Sequence, residues 1–560
     1  MRRMFAHMRR HGSGLRKPTA GAVRAVQAAR STLSLTSLAL TCAFWMTAAA
    51  LVCGPQPLHA AEGELVAAFA PTELVLDPVH SYKTQELQLA TAIYEGLVTY
   101  HPVSLKPMPA LARTWEISDD GRVYRFVLRE NGRYSNGDAV TAEDVRRSWL
   151  RILDPADQGE YSFLLDVIKG AGDYRTGRMR DPSVVGIRAV SDTVLEVELA
   201  EPAGHFLSML CHMAFVPVYP GYQGRSGWDR TASIVGNGPF VMESRGPNEM
   251  ILVKNPYYWD RDRVALERIR VLFIDDPLEI TRRINSREID WADDGDTGSL
   301  EDTDMIQLDL LFGTSYLFFR CGSAPWSDPR IRKGLALVLP LEELRQQFAP
   351  FGTDTLVPAL FSYPEVEGLA DGDEERGMAL LAEAGYPNGR GLPGLVIKVP
   401  TGSGAENTAR LLSSTWQEKL SVRVKIQTYP YDRYLEELEN DDYTMGSTTW
   451  IGDFADPLAF LQIWTSGSNL NEAGYDSAEY DLRIEKAMAE PRQERYASLA
   501  EAEAFLLGEA VVIPLSHPPS FNLIDLDRVG GWYSNLMDIH PFKYMRFKVR
   551  RPPPDAASVD

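Results

Sequence analysis

Two hydrophobic periodicities alternate along the chain and predict an α/β fold. Apolar residues at every second position, or in short apolar runs, predict strands at 64–70, 123–128, 194–199, 240–243, 250–254, 395–399, 422–426, 443–449 and 511–515. Apolar residues at helical spacing predict helices at 85–97, 142–153, 374–384, 405–420 and 491–507. Because strands and helices alternate after residue 395, we expect a partly parallel sheet that is covered by helices.

Local residues define several ends of these elements. Thr141 and Asp144 form a capping box that opens the helix at 142–153. The run Gly236-Asn237-Gly238-Pro239 predicts a tight bend ahead of a hairpin. The helix at 491–507 alternates charged residues with leucines, and this pattern is typical of a solvated amphipathic surface.

The segment Trp450 to Pro457 reads WIGDFADP and combines large aromatic side chains with a glycine and two carboxylates. It follows the predicted strand 443–449, and the carboxyl end of a strand is where open α/β sheets bind ligands. A carboxylate beside aromatic side chains is costly unless a cation meets it, so Asp453 invites a positively charged ligand group. An alternative stays open, in which the segment is a solvated turn and Asp453 caps a helix that starts at Pro457.

The first 61 residues differ from the rest of the chain. They carry eight basic residues and no acidic ones, ahead of the apolar run 33–52, and this pattern predicts an export signal peptide at 1–61. Two alternatives stay open: the run is retained as a membrane anchor, or Cys53 is lipidated and becomes the new N-terminus. We therefore expect a periplasmic location or one on the cell-envelope exterior.

Length, charge and motifs restrict the function classes. With 560 residues the chain is long enough for two or three lobes. Of its 57 basic residues eight lie in the export segment, so 49 remain against 77 acidic ones and the net charge is near −28. Such a surface repels nucleic acid and anionic lipid. The sequence contains no HExxH, GxSxG or GxxxxGK[ST] motif, so we predict no catalytic residue, no metal ligand and no cofactor.

Several segments of the chain, taken in order, resemble a known family. They read LVLDPVHSYKTQELQLATAIYEGL at 74–97, PALARTWEISDDGRVYRFVLRENGRYSNGDAVTAEDVRRSW at 109–149, IVGNGPFVMESRGPNEMILVKNPYYWD at 234–260, INSREIDWA at 284–292, APWSDPRIRKGLAL at 324–337 and LLAEAGYPNG at 380–389. On these residues the chain resembles the oligopeptide-binding proteins of bacterial ABC importers, extracellular solute-binding protein family 5. The resemblance covers nearly the whole chain after the export segment.

The resemblance implies an α/β, two-lobed periplasmic-binding-protein-like fold of type II, with an extra domain inserted in the N-terminal lobe. The implied order is lobe I at 62–104, the inserted domain at 105–215, lobe I again at 216–315, lobe II at 316–525, a return to lobe I at 526–549 and a disordered tail at 550–560. The buried strand at 511–515 is expected to return to the first lobe.

The resemblance also implies where a ligand binds. On lobe II, Asp453 falls on the family position whose carboxylate meets a peptide α-ammonium, and Trp450, Gly452 and Phe454 surround it. Tyr475 is expected to face the cleft ahead of a helix at 481–489.

On lobe I, the loop formed by Tyr82, Lys83, Thr84 and Gln85 is implied to face the ligand. Its backbone groups are expected to pair with an extended peptide as an added strand. Pairing through the main chain provides affinity without selecting side chains.

The implied function is a non-catalytic, extracytoplasmic solute-binding component of an ABC importer, which captures oligopeptides between two lobes. Its partners are then a peptide and the transmembrane permease subunits with their cytoplasmic ATPases. The protein is expected to be a monomer. It is expected to contact the membrane only through the permease or through a lipid attached to Cys53. Other solutes stay open, namely a dipeptide, glutathione, an opine, haem, a metal chelate or an oligosaccharide. A peptide sensor, a chaperone-like receptor and an exported hydrolase are the alternatives of other classes.

Overall fold

The computed structural model describes residues 63–548, apart from positions 158, 160, 232, 349, 361, 370, 371, 441, 469 and 491. The predicted export segment, with Cys53, and the predicted tail at 550–560 lie outside the described residues. Within the described part, no helix is long and apolar enough to cross a membrane.

All nine predicted strands are present with ends that agree to within three residues, and the described part of the chain contains eleven further strands. In chain order they are β1 (Glu64–Phe69), β2 (Val98–Tyr100), β3 (Pro107–Pro109), β4 (Ala112–Ile117), β5 (Val123–Leu128), β6 (Ile187–Ser191), β7 (Val194–Glu198), β8 (Phe240–Arg245), β9 (Glu249–Lys254), β10 (Arg268–Phe273), β11 (Trp291–Ala292), β12 (Ile306–Leu310), β13 (Gly313–Phe319), β14 (Leu395–Pro400), β15 (Val424–Tyr429), β16 (Met445–Ile451), β17 (Val512–Ser516), β18 (Pro519–Ile524), β19 (Val529–Gly530) and β20 (Arg546–Phe547).

The α-helices confirm the predicted helices, with ends that differ by up to four residues. In chain order they are α1 (Thr84–Ile93), α2 (Ala142–Ile152), α3 (Ala171–Arg175), α4 (Phe206–Met209), α5 (Pro277–Asn285), α6 (Pro329–Leu337), α7 (Leu341–Gln346), α8 (Glu374–Glu383), α9 (Ser403–Leu420), α10 (Tyr431–Glu437), α11 (Leu458–Leu461), α12 (Ala478–Ala489) and α13 (Arg492–Gly508).

The strands form two large sheets, each of which is the centre of one lobe. Lobe I contains a seven-stranded sheet in the order β12-β18-β11-β1-β10-β9-β8, in which β1 runs parallel to β10 and β11. Lobe II contains a five-stranded sheet in the order β15-β14-β16-β13-β17, in which β14 runs parallel to β15 and β16. Helices connect the parallel strands, as the alternating pattern after residue 395 predicts.

The chain crosses between the two sheets at two adjacent places. Strand β12 of lobe I leads into β13 of lobe II, and β17 of lobe II leads into β18 of lobe I. The crossings are tied together because the Leu311 N–H donates to the Pro518 carbonyl at 2.8 Å. These paired crossings are the hinge of the two-lobed fold.

The hinge lies a few residues away from the predicted boundaries. Strand β17, at Val512–Ser516, pairs with β13 inside lobe II, so the expectation that it returns to lobe I is wrong. The return is made by β18, which pairs with β11 and β12 and which the predicted boundary at 525 leaves in lobe II. Hydrophobicity alone does not reveal the sheet in which a buried strand pairs. The other domain boundaries remain predictions.

A separate four-stranded antiparallel sheet, in the order β4-β5-β7-β6, is the centre of the inserted domain. Helix α2 packs on this sheet and buries Trp149, whose Nε1 donates to the Phe215 carbonyl at 2.8 Å. The predicted capping box is confirmed, because the Thr141 N–H donates to Asp144 at 2.8 Å and the Asp144 N–H donates to the Thr141 hydroxyl at 3.3 Å. The cap fixes the first turn of α2 against the sheet.

The predicted glycine bend at 236–239 contacts the carboxyl end of α1. The Gly238 N–H donates to the Ile93 carbonyl at 2.9 Å, and a Cβ at Gly236 would lie only 2.0 Å from that oxygen. Glycine is therefore required here for the close approach of two backbones.

Candidate functional site

Strand directions determine which ends of the two sheets face the hinge. In lobe II, β16 ends at Ile451, which pairs with Gly313 directly after the first crossing. In lobe I, β18 enters from the second crossing at Pro519, and antiparallel β11 therefore runs towards the hinge and ends at Ala292, opposite Leu523. The residues that follow β16 and β11 thus lie at the edges where the two lobes meet, which is the ligand-binding position in open α/β sheets.

Trp450 and Gly452 fix the loop that follows β16. The buried Trp450 indole donates from Nε1 to the Ala459 carbonyl at 2.9 Å, which ties the end of the strand to α11. The Gly452 N–H donates to the Phe312 carbonyl at 2.8 Å, and a Cβ at this position would lie 2.6 Å from the Phe312 ring. Both residues hold the loop against the hinge.

The Asp453 side chain is half-buried in this loop. Neither a hydrogen bond nor an ion pair joins its carboxylate to another residue in the described part of the chain. Burial raises the pKa of Asp453 from 3.8 to about 6. A carboxylate that is partly removed from water and has no counterion among the described residues favours a cationic ligand group or a proton.

Asp456, three residues later, has the opposite environment. It is fully buried and forms a bidentate ion pair with Arg495 of α13, at 2.6 and 2.7 Å, and it accepts the Leu458 N–H at 3.0 Å at the start of α11. Burial opposes its ionisation, but the charge and hydrogen bonds of Arg495 outweigh burial and lower the pKa of Asp456 below 3.8. The contact with the first turn of the helix that the alternative interpretation gives to Asp453 is thus made by Asp456, which precedes the N-cap residue Pro457.

The inserted domain contacts the same loop. His205 of the inserted domain stacks on the Phe454 ring at 5.5 Å between ring centroids. Tyr100, which ends β2 ahead of the predicted inserted domain, accepts the Ala455 N–H through its hydroxyl at 3.0 Å. Burial, together with the positive charge of Arg495, lowers the pKa of His205 to about 4, so the imidazole is neutral at pH 7. Phe454 is therefore a packing contact between the loop and the inserted domain.

On lobe I, the buried carboxylate of Glu86 organises the predicted ligand loop. It accepts the N–H groups of Tyr82 at 3.0 Å, Lys83 at 3.1 Å and Val75 at 2.8 Å. The Lys83 ammonium is also engaged, because it donates to the Thr72 hydroxyl at 2.8 Å. The expected strand addition therefore cannot use the N–H groups of Tyr82 and Lys83.

The next two residues of this loop begin α1. Thr84 is exposed, whereas Gln85 is half-buried and donates from its side-chain amide to Asp293 Oδ2 at 3.1 Å. Asp293 directly follows β11, at the hinge-facing edge of lobe I. The structure therefore joins the predicted loop to a carboxylate that the sequence analysis does not name.

Tyr475 is buried in lobe II, and its ring lies edge-on to Tyr480 at 5.9 Å. The Tyr480 hydroxyl in turn donates to the Leu461 carbonyl at the end of α11. Tyr475 therefore supports the helix after the Asp453 loop through Tyr480, and its predicted ligand contact stays a prediction.

Arg495 is the supporting residue that the sequence interpretation missed. Helix α13 is predicted to be a solvated surface, but Arg495 and Glu503 are both fully buried. A signal was present, since Arg495 is spaced at helical intervals from the buried residues Leu499 and Leu506 and so lies on the apolar face. A charge on such a face implies a buried partner of opposite charge.

We expect Asp456→Asn to lower the free energy of unfolding by roughly 3–5 kcal/mol, because it leaves the Arg495 guanidinium buried without its counterion. Urea unfolding monitored by circular dichroism measures the change. Replacing both partners, as Asp456→Leu with Arg495→Met, should recover most of the loss. The exposed pair of Arg483 and Glu479 supplies the control, and Glu479→Gln should change stability little. A parental unfolding midpoint for Asp456→Asn would contradict the supporting role of the pair.

Comparison with known proteins shows what this arrangement resembles. The family model described as "Bacterial extracellular solute-binding proteins, family 5 Middle" matches residues 106–472, which is more than half of the chain. The dipeptide-binding protein DppE of Bacillus subtilis (strain 168) is 28% identical over 456 residues, which cover 78% of this chain and 84% of DppE. The probable deoxycholate-binding periplasmic protein YgiS of Escherichia coli (strain K12) is 28% identical over 509 residues, 85% of this chain and 94% of YgiS.

The murein peptide-binding protein MppA of Escherichia coli (strain K12) is 26% identical over 472 residues, which cover 81% of this chain and 87% of MppA. A solved structure of MppA in its unliganded open form superimposes with a TM-score of 0.75 at 25% identity, and it covers 87% of this chain and 98% of that one. The two sheets, the paired crossings, the inserted domain and the match over 106–472 lead to one conclusion: this chain belongs to family 5 of the bacterial extracellular solute-binding proteins.

Proposed function

We propose that this protein is the extracytoplasmic binding component of an ABC importer, and that it captures oligopeptides between its lobes and delivers them to the transmembrane permease subunits with their cytoplasmic ATPases. One observation carries the proposal: Asp453, at the hinge-facing edge of lobe II, is a half-buried carboxylate with no partner among the described residues. In this proposal the protein binds and delivers its ligand, and it catalyses no reaction. The peptide ligands in the names of DppE and MppA support this function.

The comparison with other buried carboxylates supports the role of Asp453 as a ligand contact. Asp456 is paired with Arg495, and Glu95 lies 3.1 Å from the Lys543 ammonium. Glu86 is satisfied by three backbone N–H groups. The α-ammonium of a peptide supplies the charge that Asp453 lacks, and the pair forms in a site that closure removes from water.

We further propose how the other predicted residues contribute. Trp450 and Gly452 hold the loop on the hinge, while Phe454 packs it against the inserted domain, so that Asp453 itself is presented to the ligand. From lobe I, the ligand is met by the side chains that start α1, since two of the N–H groups before them are already bound. Tyr475 contributes to ligand binding indirectly, because it packs on Tyr480, which donates a hydrogen bond to the end of α11.

The charge of Asp453 also separates the proposed ligand class from other solutes of the family. YgiS is described as a probable deoxycholate-binding protein, and deoxycholate is an anion. A half-buried carboxylate would repel an anion and would gain nothing from a neutral oligosaccharide. Ligands with an amine, which include dipeptides and longer peptides, fit this site.

We expect Asp453→Asn to weaken the binding of a peptide with a free N-terminus by about two to four decades, because removing one partner of a buried pair costs roughly 3–5 kcal/mol. Isothermal titration calorimetry with one peptide, in free and N-acetylated form, measures the effect. The acetylated peptide brings no charge, so its affinity should be nearly equal for the variant and the parent.

The matched control is Glu485→Gln, which removes an exposed carboxylate from α12 of the same lobe. It should bind both peptides as the parent does. Parental affinity of Asp453→Asn for the free peptide would refute the ammonium contact.

We also expect the affinity of the parent for a free, non-basic peptide to fall as the pH drops below about 6. The pKa of Asp453 in the unliganded protein is about 6, so below that pH the carboxyl is protonated and must lose its proton before it can pair with an ammonium. The loss approaches about tenfold per pH unit for one linked proton. Calorimetric titrations between pH 4.5 and 7.5 measure this loss of affinity. The affinity of Asp453→Asn should not depend on pH in this range. An equally steep pH dependence in the variant would exclude Asp453 as the cause.

We propose that residues 1–61 export the protein and that Cys53 is the site of a lipid anchor if one is present. Expression of the full chain should place it in the envelope fraction, and a chain that starts after residue 61 should stay in the cytoplasm. Labelled palmitate that enters the full chain but not Cys53→Ser would establish the anchor; no label in either would establish free release. Cytoplasmic recovery of the full chain would refute export.

A further inference from the structure

Asp293 holds the same position in lobe I that Asp453 holds in lobe II. It directly follows β11, whose last residue Ala292 lies opposite Leu523 of β18. Because β18 enters lobe I from the hinge and β11 runs against it, Asp293 lies one step further towards the hinge. The two carboxylates therefore lie on the facing edges of the two lobes.

Asp293 is only partly satisfied within the protein. Its Oδ2 accepts the side-chain amide of Gln85 at 3.1 Å. Its Oδ1 is buried and has no hydrogen-bond partner in the structure. No ion pair joins Asp293 to a described lysine, arginine or histidine, and the charges of Asp294 and Asp538 act on it. Burial first, and these two carboxylates in addition, raise its pKa to about 6.

Three other buried acidic residues of lobe I have partners. Asp290, three residues earlier on the same segment, meets Arg528 at 2.5 Å and accepts the Val66 N–H at 2.8 Å. Glu95 meets Lys543, and Glu86 holds three backbone N–H groups. If Asp293 had only a structural role, we would expect lobe I to supply a partner for it, as it does for Asp290, Glu95 and Glu86. The described residues supply no such partner to its buried Oδ1.

An aromatic group lies on the same side of β11 as Asp293. Side chains two residues apart on a strand share a face, so Trp291 and Asp293 are on one side. The Trp291 ring meets His540 edge-on at 5.6 Å, and Trp532 stacks on His540 at 4.1 Å. Trp532 is buried, and its Nε1 also has no partner in the structure. Trp291 and Trp532 are both buried, so this aromatic cluster packs within lobe I and supports β11, which Asp293 directly follows.

We propose that Asp293 binds a second positive charge of the ligand, a primary ammonium or a guanidinium, so that the protein selects peptides with a basic side chain. This proposal rests on the proposed function, because it needs a peptide whose α-ammonium is held by Asp453. Each lobe then contributes one carboxylate to the same ligand. Both contacts form together only when the lobes close, so a dicationic ligand favours the closed form more than a monocationic one does.

The test measures the preference of the protein for a charged over an uncharged side chain. Tetrapeptides carry one lysine at position two, three or four, and each is paired with the same peptide in which that lysine is acetylated. The parent should bind the lysine form roughly ten- to hundredfold more tightly at one of these positions, as expected for a hydrogen bond to a charged group. Because every peptide keeps its free N-terminus, the contribution of Asp453 cancels in the ratio.

Asp293→Asn should reduce that ratio to within about threefold of unity, while it leaves the affinity for the acetylated peptide nearly unchanged. The control is Asp294→Asn, which removes the adjacent, exposed carboxylate and should keep the parental ratio. The pH dependence of the parent provides a readout that does not depend on how a variant folds: the ratio should fall as the pH drops below about 6, because Asp293 then takes up a proton.

The outcomes separate this proposal from the one on which it rests. If no peptide binds the parent, the proposed function fails. If free peptides bind, but the parent shows no preference for lysine at any position, or Asp293→Asn keeps the preference, the second site is refuted while the ammonium contact of Asp453 stands. An equal loss in Asp294→Asn would assign the preference to the general negative charge of the edge and would also refute the site.

Discussion

The paired crossings between the two sheets are the constraint on which the rest of this structure depends. Two chain segments pass side by side from lobe to lobe, and a backbone hydrogen bond between Leu311 and Pro518 joins them. The direction of these segments determines which ends of the paired strands lie near the hinge. Strand β16 is antiparallel to β13 and ends where β13 begins, and β11 is antiparallel to β18 and runs towards the hinge. The loops that carry Asp453 and Asp293 are thereby placed at facing edges, although 160 positions separate them in the chain.

Six buried or half-buried carboxylates of this protein differ in whether the described residues supply a partner. Asp456, Glu95, Glu86 and Asp290 are buried with a cation or with several N–H groups, and they stabilise loops and helix ends. Asp453 and Asp293 are partly removed from water without such a partner among the described residues, and burial raises the pKa of both to about 6. The protein tolerates this cost at the hinge-facing edges, where a ligand can supply the missing charge.

The loop around Asp453 is fixed from two directions. Arg495 of α13 holds Asp456 from within lobe II, while His205 of the inserted domain stacks on Phe454 and Tyr100 of β2 accepts the Ala455 N–H. Buried apolar residues of the inserted domain and of lobe II also form one continuous cluster. A loop that is held in this way keeps Asp453, which has no partner among the described residues, in a fixed position, and in the proposed function such preorganisation reduces the entropy that binding costs.

Nine strands, five helices and the Asp453 loop follow from the sequence itself, because hydrophobic period, caps and turn residues act over short distances; the export segment stays a prediction. Family resemblance, rather than any local pattern, provides the two-lobed architecture. Tertiary structure alone decides that β17 stays in lobe II, that Glu86 occupies the donors of the 82–83 loop, and that Arg495 is buried against Asp456. It also decides that Asp293 lies at the cleft edge next to Gln85. These features depend on which distant segments meet, and a burial pattern along one strand or helix does not encode the identity of the segment that covers it.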